Sequence, residues 1–390
     1  MHVAIVAASA PSHMHPHLAV VRELVRRGHR VSYLVGHHLA HLAADTGADV
    51  VGCTSVLPGA PGVTGWPEDD VAGMRMFLDE AVHVLPQVHA ALDHDRPDVV
   101  LYDIGGMAGP VAAQRWGVPA AQLSPSIVAW DGYHDDMAAS LAPMLSSPGY
   151  LAYREAFEDW LADSELSFDD VTGVPARCLV LIPRVMQPNS SRVGDRYRFV
   201  GPCLDPARSD PGDWREPADD GPLALVAFGT SYTRRPDVFR NVIAALDGTG
   251  WRMVLATGGR VPDEDLGAVP DWVRVEDFVP QVAVLHRADA FVTHAGMGSC
   301  TEALWCGVPT VAVPQAVDQF GNAEQLVAIG VGVHLASDPP SPDDLRTALL
   351  GIADDPDVRD RLDAISAELR RDGGPDHAAD AVEDIAAETW

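Results

Sequence analysis

Short runs of apolar, largely β-branched residues alternate with longer amphipathic stretches along almost the whole of this 390-residue chain. Strands spaced by crossover helices pair in parallel and are covered on both faces, so the pattern confines the chain to an α/β architecture. In the first half the expected strands are 2–7, 30–35, 49–51, 99–102, 120–123 and 178–181, with a crossover helix over 18–27 that Gly28 stops. Residues 137–169 read as mainly helical. The alternation breaks at 205–221, DPARSDPGDWREPADDG, which is rich in Pro, Gly and Asp and poor in apolar residues. That composition suits a linker between domains. Beyond it the pattern restarts, with strands expected at 223–228, 252–256, 273–275, 290–293, 310–313 and 333–335, and helices at 238–246, 359–371 and 377–389. Two Rossmann-like βαβ domains result, over 1–204 and 222–375, with 376–390 as a closing helix. At 47% hydrophobic content a chain of this length can bury two such cores.

The densest concentration of chemistry lies in 293–325, THAGMGSCTEALWCGVPTVAVPQAVDQFGNAEQ. A strand ends at Thr293, a turn containing Gly296 and Gly298 follows, and a helix over 300–305 takes over after Ser299. A glycine-bearing strand-to-helix turn leaves backbone N–H groups free at a helix N-terminus, where the dipole favours an anion. His294 can add a donor to a phosphate held there, and Glu302, one turn into the helix, can accept from ribose hydroxyls. The next strand delivers Gln315, Asp318 and Gln319, and adjacent carboxylate and amide side chains suit the vicinal hydroxyls of a hexose. The glycines alone would fit an ordinary strand, turn and helix. With His294, Glu302, Asp318 and Gln319 in register, the segment is a candidate nucleotide-sugar site.

A second candidate site follows the first strand, in Ala10-Pro11-Ser12-His13-Met14-His15-Pro16-His17. Loops at the C-terminal edge of an open parallel sheet are where ligands sit. Three histidines at alternate positions can chelate a metal, a reading that wants further ligands around a single barrel. One of them can instead act as a general base oriented by a carboxylate on a neighbouring strand, for which Asp103, after the strand 99–102, is placed. A nicotinamide-dependent dehydrogenase is disfavoured, because strand one leads to ASAPSHMHP rather than GxGxxG and strand two ends in Val35-Gly36-His37 without an acid. The net charge of −29 disfavours nucleic acid and anionic membrane surfaces as partners. Five cysteines, at 53, 178, 203, 300 and 306, form no CxxC pair and read as reduced thiols. No stretch reaches the ~18 apolar residues of a membrane span and the first residues lack a basic leader, so a cytoplasmic protein without membrane insertion is expected.

Through VRELVRRGHRVSYLV, RWGVPAAQLSPSIVAWDGY, RCLVLIPRVMQPNSSRV, YRFVGPCL, DFVPQVAVLHRADAFVTHAG and VPQAVDQFGNA, nearly the whole chain resembles the inverting, metal-independent family 1 glycosyltransferases of the GT-B fold. Among them it is most similar to the macrolide glycosyltransferases of actinobacteria. The resemblance implies an acceptor domain and a nucleotide-sugar domain facing each other across a cleft, with the closing helix crossing back to the first. Laid on the family's G-H-x-x-P loop, the chain puts the general base at His13, with Pro16 as the loop proline and Ser12 in place of the usual glycine. His15 and His17 receive no role. Asp103 then stabilises the imidazolium that forms. Gly229, Thr230 and Ser231 join His294, Gly296, Gly298 and Ser299 around the diphosphate. Phe278, where the family often has tryptophan, stacks on the base, with Val279 and Gln281 beside it and Glu302 on the ribose. Asp318 and Gln319 favour a donor with intact ring hydroxyls, such as glucose, over a deoxysugar, while Phe278 leaves the base as uridine or thymidine; UDP-glucose is the first expected co-substrate, with no other cofactor and no metal. Trp66, Met74, Met76, Phe77, Trp130, Tyr133 and Met137 are available to line a cleft for a bulky hydrophobic acceptor such as a macrolide. The alternative is a biosynthetic transferase of TDP-activated deoxysugars, and a homodimer is compatible with either.

Overall fold

The computed structural model describes residues 1–63, 65–67, 69–212, 214–215, 220–229 and 234–390. Two compact units emerge, one made of Met1–Ile182, Asn189–Cys203 and Gly374–Trp390, the other of Pro183–Pro188 and Leu204–Gly373.

The first unit is built on a seven-stranded parallel sheet of order β3-β2-β1-β4-β5-β6-β7. Its strands are β1 (His2–Val6), β2 (Arg30–Gly36), β3 (Asp49–Cys53), β4 (Val99–Asp103), β5 (Ala120–Ser124), β6 (Cys178–Val180) and β7 (Tyr197–Phe199). Every residue of β1 and β4 is buried, as helices on both faces of a parallel sheet require. Strand β1 pairs with β2 on one side and β4 on the other, Val6 lying opposite both Leu34 and Tyr102. Chain order therefore reverses between β1 and β4, and the segments leaving those two strands emerge side by side, which is where open α/β sheets bind ligands. Strand β7 is absent from the sequence reading. Three residues with a charged Arg198 at their centre are too few to carry a periodic signal, and the strand pairs along the edge that β6 presents.

The histidine segment after β1 is not a loop. The first helix runs Pro11–Arg26, seven residues longer at its start than 18–27, with Pro11 at its first turn, where the missing N–H costs nothing. Pro16 lies inside the helix and denies one carbonyl its partner, a loss tolerable close to the end. The long helix Asp70–Leu92, capped by Asp69 accepting from the Ala72 N–H, carries Met74, Met76 and Phe77.

The last helix, Pro375–Ala386, lies against the first. Its Ala378, Ala379, Ala381, Val382 and Ile385 complete the core that Leu18, Val21 and the strands begin. Charge fixes the register: Arg27 reaches Asp380 at 2.6 Å and Glu383 at 3.2 Å, and the Arg198 guanidinium lies 4.1 Å from the Trp390 ring centre.

The second unit holds a six-stranded parallel sheet of order β10-β9-β8-β11-β12-β13, formed by β8 (Leu223–Ala227), β9 (Arg252–Ala256), β10 (Val273–Glu276), β11 (Ala290–Thr293), β12 (Thr310–Ala312) and β13 (Gly332–His334). Chain order reverses between β8 and β11, so Gly229 and His294 leave adjacent strands. The described residues of 205–221 belong to this unit, and the turn Pro206–Ser209 packs on the short helix Gln281–Leu285. No helix among the described residues is long and apolar enough to cross a membrane.

Candidate functional site

Asp103 ends β4 with its carboxylate fully buried, and His13 stands in the first turn of the first helix, a quarter exposed. His13 Nδ1 lies 2.9 Å from Oδ1 and 3.2 Å from Oδ2 of Asp103, and the Gly105 N–H donates to Oδ1 at 2.7 Å. Burial works to raise the Asp103 pKa, but attraction to His13 and the approach of His13 and His17 outweigh it and hold the carboxyl well below its ordinary range. An ionised carboxylate only accepts, so Nδ1 of His13 carries a proton, and in the neutral imidazole Nε2 is the nitrogen left with the lone pair. That is the tautomer a general base needs. Because the segment is helical, His15 lies roughly 200° around from His13 while His17 shares its face. Among the described residues no group of three or more His, Cys, Asp or Glu is arranged to hold a metal.

In the second unit, His294 follows β11 with its ring against the backbones of Gly229 and Gly296. Ala295 takes a positive φ of 60° to turn the chain, and the helix Met297–Cys306 begins with no side-chain cap and no acid in its first turn. Its leading N–H groups, near Gly298 and Ser299, are thus left for an anion. Burial pulls the His294 pKa down to about 4, so at neutral pH the imidazole meets an anion as a hydrogen-bond donor rather than a cation. Thr230 and Ser231 lie outside the described residues.

Glu302 is almost completely buried, with Arg208 at 2.6 Å from Oε1 and the Gln281 amide donating to Oε2 at 2.7 Å. Gln281 also reaches Ser299 Oγ at 3.2 Å, so the start of the helix Met297–Cys306 and the Glu302 carboxylate share one bridging amide. Phe278 is 67% exposed, which rules out a core role and leaves an aromatic face open, while Val279 packs on the unit's core. Asp318 and Gln319 do not form the paired polar surface that their adjacency suggested. Asp318 is exposed, whereas Gln319 turns inward and its Oε1 accepts from the N–H groups of Gln315 and Ala316 at 2.7 and 3.1 Å. Asn322 donates to Asp318 Oδ2 at 2.9 Å and to the Ala295 carbonyl at 3.0 Å, tying the loop after β12 to the turn after β11.

The apolar residues singled out in the first unit fall into separate groups. Trp66 stacks on Phe77 at 5.5 Å, and Phe77 lies against Gly105, two residues past Asp103. Trp130 meets Tyr133 edge-on at 4.9 Å, with Met137 one turn further on. Met76 instead lines a surface groove with Val56, Val82 and Pro86, and Met74 packs on the cluster around Tyr150 and Phe157. Adjacent positions on Asp70–Leu92 point about 100° apart, which separates Met76 from Phe77.

The chain is 42% identical to the oleandomycin glycosyltransferase of Streptomyces antibioticus over 98% of its own length and 90% of that protein's. It belongs to the family 1 GT-B glycosyltransferases. Residues 243–385 of this glycosyltransferase match the C-terminal domain of erythromycin biosynthesis protein CIII-like proteins. The crystal structure of the glycotransferase of kitacinnamycin superposes with a TM-score of 0.90 at 40% identity, covering 98% of each chain. The demethyllactenocin mycarosyltransferase of Streptomyces fradiae is 31% identical over 98% of this chain and 86% of its own.

Three residues of this glycosyltransferase sit in the two candidate sites without having been singled out as partners. His17 lies against Asp103, and its i, i+4 spacing from His13 was the available signal once the segment is seen as helix. Asn322 carried a similar signal from Asp318. Arg208 carried none, because its pairing with Glu302 spans 94 residues from within a segment read as linker.

Proposed function

We propose that this glycosyltransferase moves a hexose, glucose from UDP-glucose in the first instance, onto a hydroxyl of a bulky apolar natural product of the macrolide class. His13 Nε2 takes the acceptor proton as the acceptor oxygen bonds to the anomeric carbon and the bond from that carbon to the diphosphate breaks. Asp103 stabilises the imidazolium so formed. The departing diphosphate is received by His294 and the uncapped N-terminus of Met297–Cys306, with Phe278 against the base and Glu302 toward the ribose. Displacement in one step inverts the anomeric centre, so an α-linked donor gives a β-glycoside. The observation that carries this reading is the His13–Asp103 pair, with Nδ1 held at 2.9 Å by a buried carboxylate and the side chain a quarter exposed. The 42% identity to the oleandomycin glycosyltransferase supports the acceptor class.

A second reading keeps the chemistry and changes the donor to a TDP-activated deoxysugar attached to an antibiotic aglycone. The demethyllactenocin mycarosyltransferase, at 31% identity, favours it. The test is a mass-spectrometric assay of purified protein with UDP-glucose and, separately, TDP-glucose, against a panel of macrolides and flavonoids with EDTA throughout. A hexose added to a macrolide from UDP-glucose supports the first reading. Tight UDP binding without product from either donor moves the assignment to the second.

A further inference from the structure

His17 follows His13 by one helical turn, and its side chain is completely buried on the face of the first helix that also buries Met14, Leu18 and Val21. Placing two ring nitrogens there costs desolvation that Leu or Val would not incur. The group they meet is Asp103, whose Oδ2 lies 3.2 Å from His17 Nε2. Neither His17 nitrogen makes an aligned hydrogen bond, and such contacts often tighten only when substrate is bound.

We propose that His17 is a positioning residue that holds Asp103 at Oδ2, one helical turn beyond His13, an inference that rests on His13 as the base. Oδ1 accepts from the Gly105 N–H and from His13, and Oδ2 faces His17. With the His17 contact tightened in the substrate complex, a carboxylate held at both oxygens keeps its orientation, and Oδ1 stays on the His13 Nδ1–H. Each donor also draws charge from the carboxylate, so removing His17 is expected to leave His13 binding its own proton more tightly. Two elements packed near this stretch of chain carry further titratable groups. Strand β2 contributes Tyr33, buried and sensing the Asp103 charge. The last helix contributes Asp376, His377, Asp380, Glu383 and Asp384, of which Asp380 and Glu383 are held by Arg27, ten residues beyond His17.

The experiment follows the imidazole of His13 by NMR with 15N-labelled histidine in the wild-type protein, H17L, H17M and H17Q, assigning the signal by its loss in H13A. Leu and Met remove the donor while filling the space, and two apolar variants guard against one failing to fold. Gln keeps an N–H near the position of Nε2. In the apolar variants the His13 titration is expected to move up by about one pH unit, a tenfold change in proton affinity. In H17Q it should stay within a few tenths of a unit of wild type. In parallel, turnover of UDP-glucose with a macrolide acceptor at pH 7 should fall about tenfold in H17L with the donor KM within about twofold. A folded H17L or H17M whose His13 titrates as in wild type overturns the proposal. Wild-type protein that makes no glycoside, with the His13 titration moving as stated, would instead sink the donor and acceptor assignment and leave the role of His17 standing.

Discussion

A methyl group on Gly229 would lie 2.8 Å from Nε2 of His294, and one on Gly296 would lie 2.5 Å from the same atom. Neither can be added without moving the imidazole, and Gly229 also needs its φ of 72°, which costs an L-residue roughly 1–2 kcal/mol. Gly296→Ala is therefore expected to raise the KM for the nucleotide sugar about tenfold or more with little change in melting temperature, read from initial rates and calorimetry. His13→Ala should do the opposite, lowering kcat by about 10²–10⁴ while UDP affinity by titration calorimetry stays within about twofold. His294 also makes stability depend on pH. Burial depresses its folded pKa to about 4 from the 6.5 of an exposed imidazole, so between those values the unfolded chain binds the extra proton. Its contribution is complete above pH 6.5 and drains away as pH falls through 4. His294→Gln should flatten the stability profile of the second unit across that window, measured by urea unfolding at stepped pH; an unchanged slope would count against a buried neutral imidazole.

At the scale of elements, the turn after β11 and the loop after β12 behave as one piece because Asn322 bonds both. Asn322→Ala removes two hydrogen bonds, from Asp318 and from the strained Ala295, and should raise the donor KM about fivefold while costing roughly 1–3 kcal/mol of stability. The same elements show where sequence is and is not sufficient. The central strands were legible because β1, β4, β8 and β11 are predominantly apolar runs, and so was the pairing of His13 with Asp103, which needs only β1 beside β4. The helical state of 11–17 was hidden by its two prolines, each individually a helix breaker but both placed near the start. Adjacency misled at Asp318 and Gln319, since the chain turns between an exposed position and a buried one and Val317 just before them sits at φ 48°. Arg208 on Glu302 was out of reach for another reason. A pairing across 94 positions leaves no periodicity to read.

For the whole molecule, the last helix gives the clearest test of how the parts depend on one another. Ile385 and Val382 are fully buried in the core of the first unit, and Ile385→Ala should cost about 2–5 kcal/mol. Removing 375–390 strips that core of a complete side and leaves Arg27 without Asp380 and Glu383. The truncated chain is expected to lose the cooperative melting of the first unit while nucleotide binding, which the proposed function assigns to residues of the second, persists. Loss of both together would show that the units cannot fold apart.

The same helix reverses the order in which a ribosome can finish this protein. Residues 1–182 emerge first, but the surface that seals them is translated only after 204–373. The second unit can therefore reach its final state while the first still waits with an apolar strip along Leu18 and Val21 uncovered, in contrast to the usual progression from N- to C-terminus. Chaperones that shield apolar surface during synthesis should thus engage the earlier half of the chain for longer than the later one.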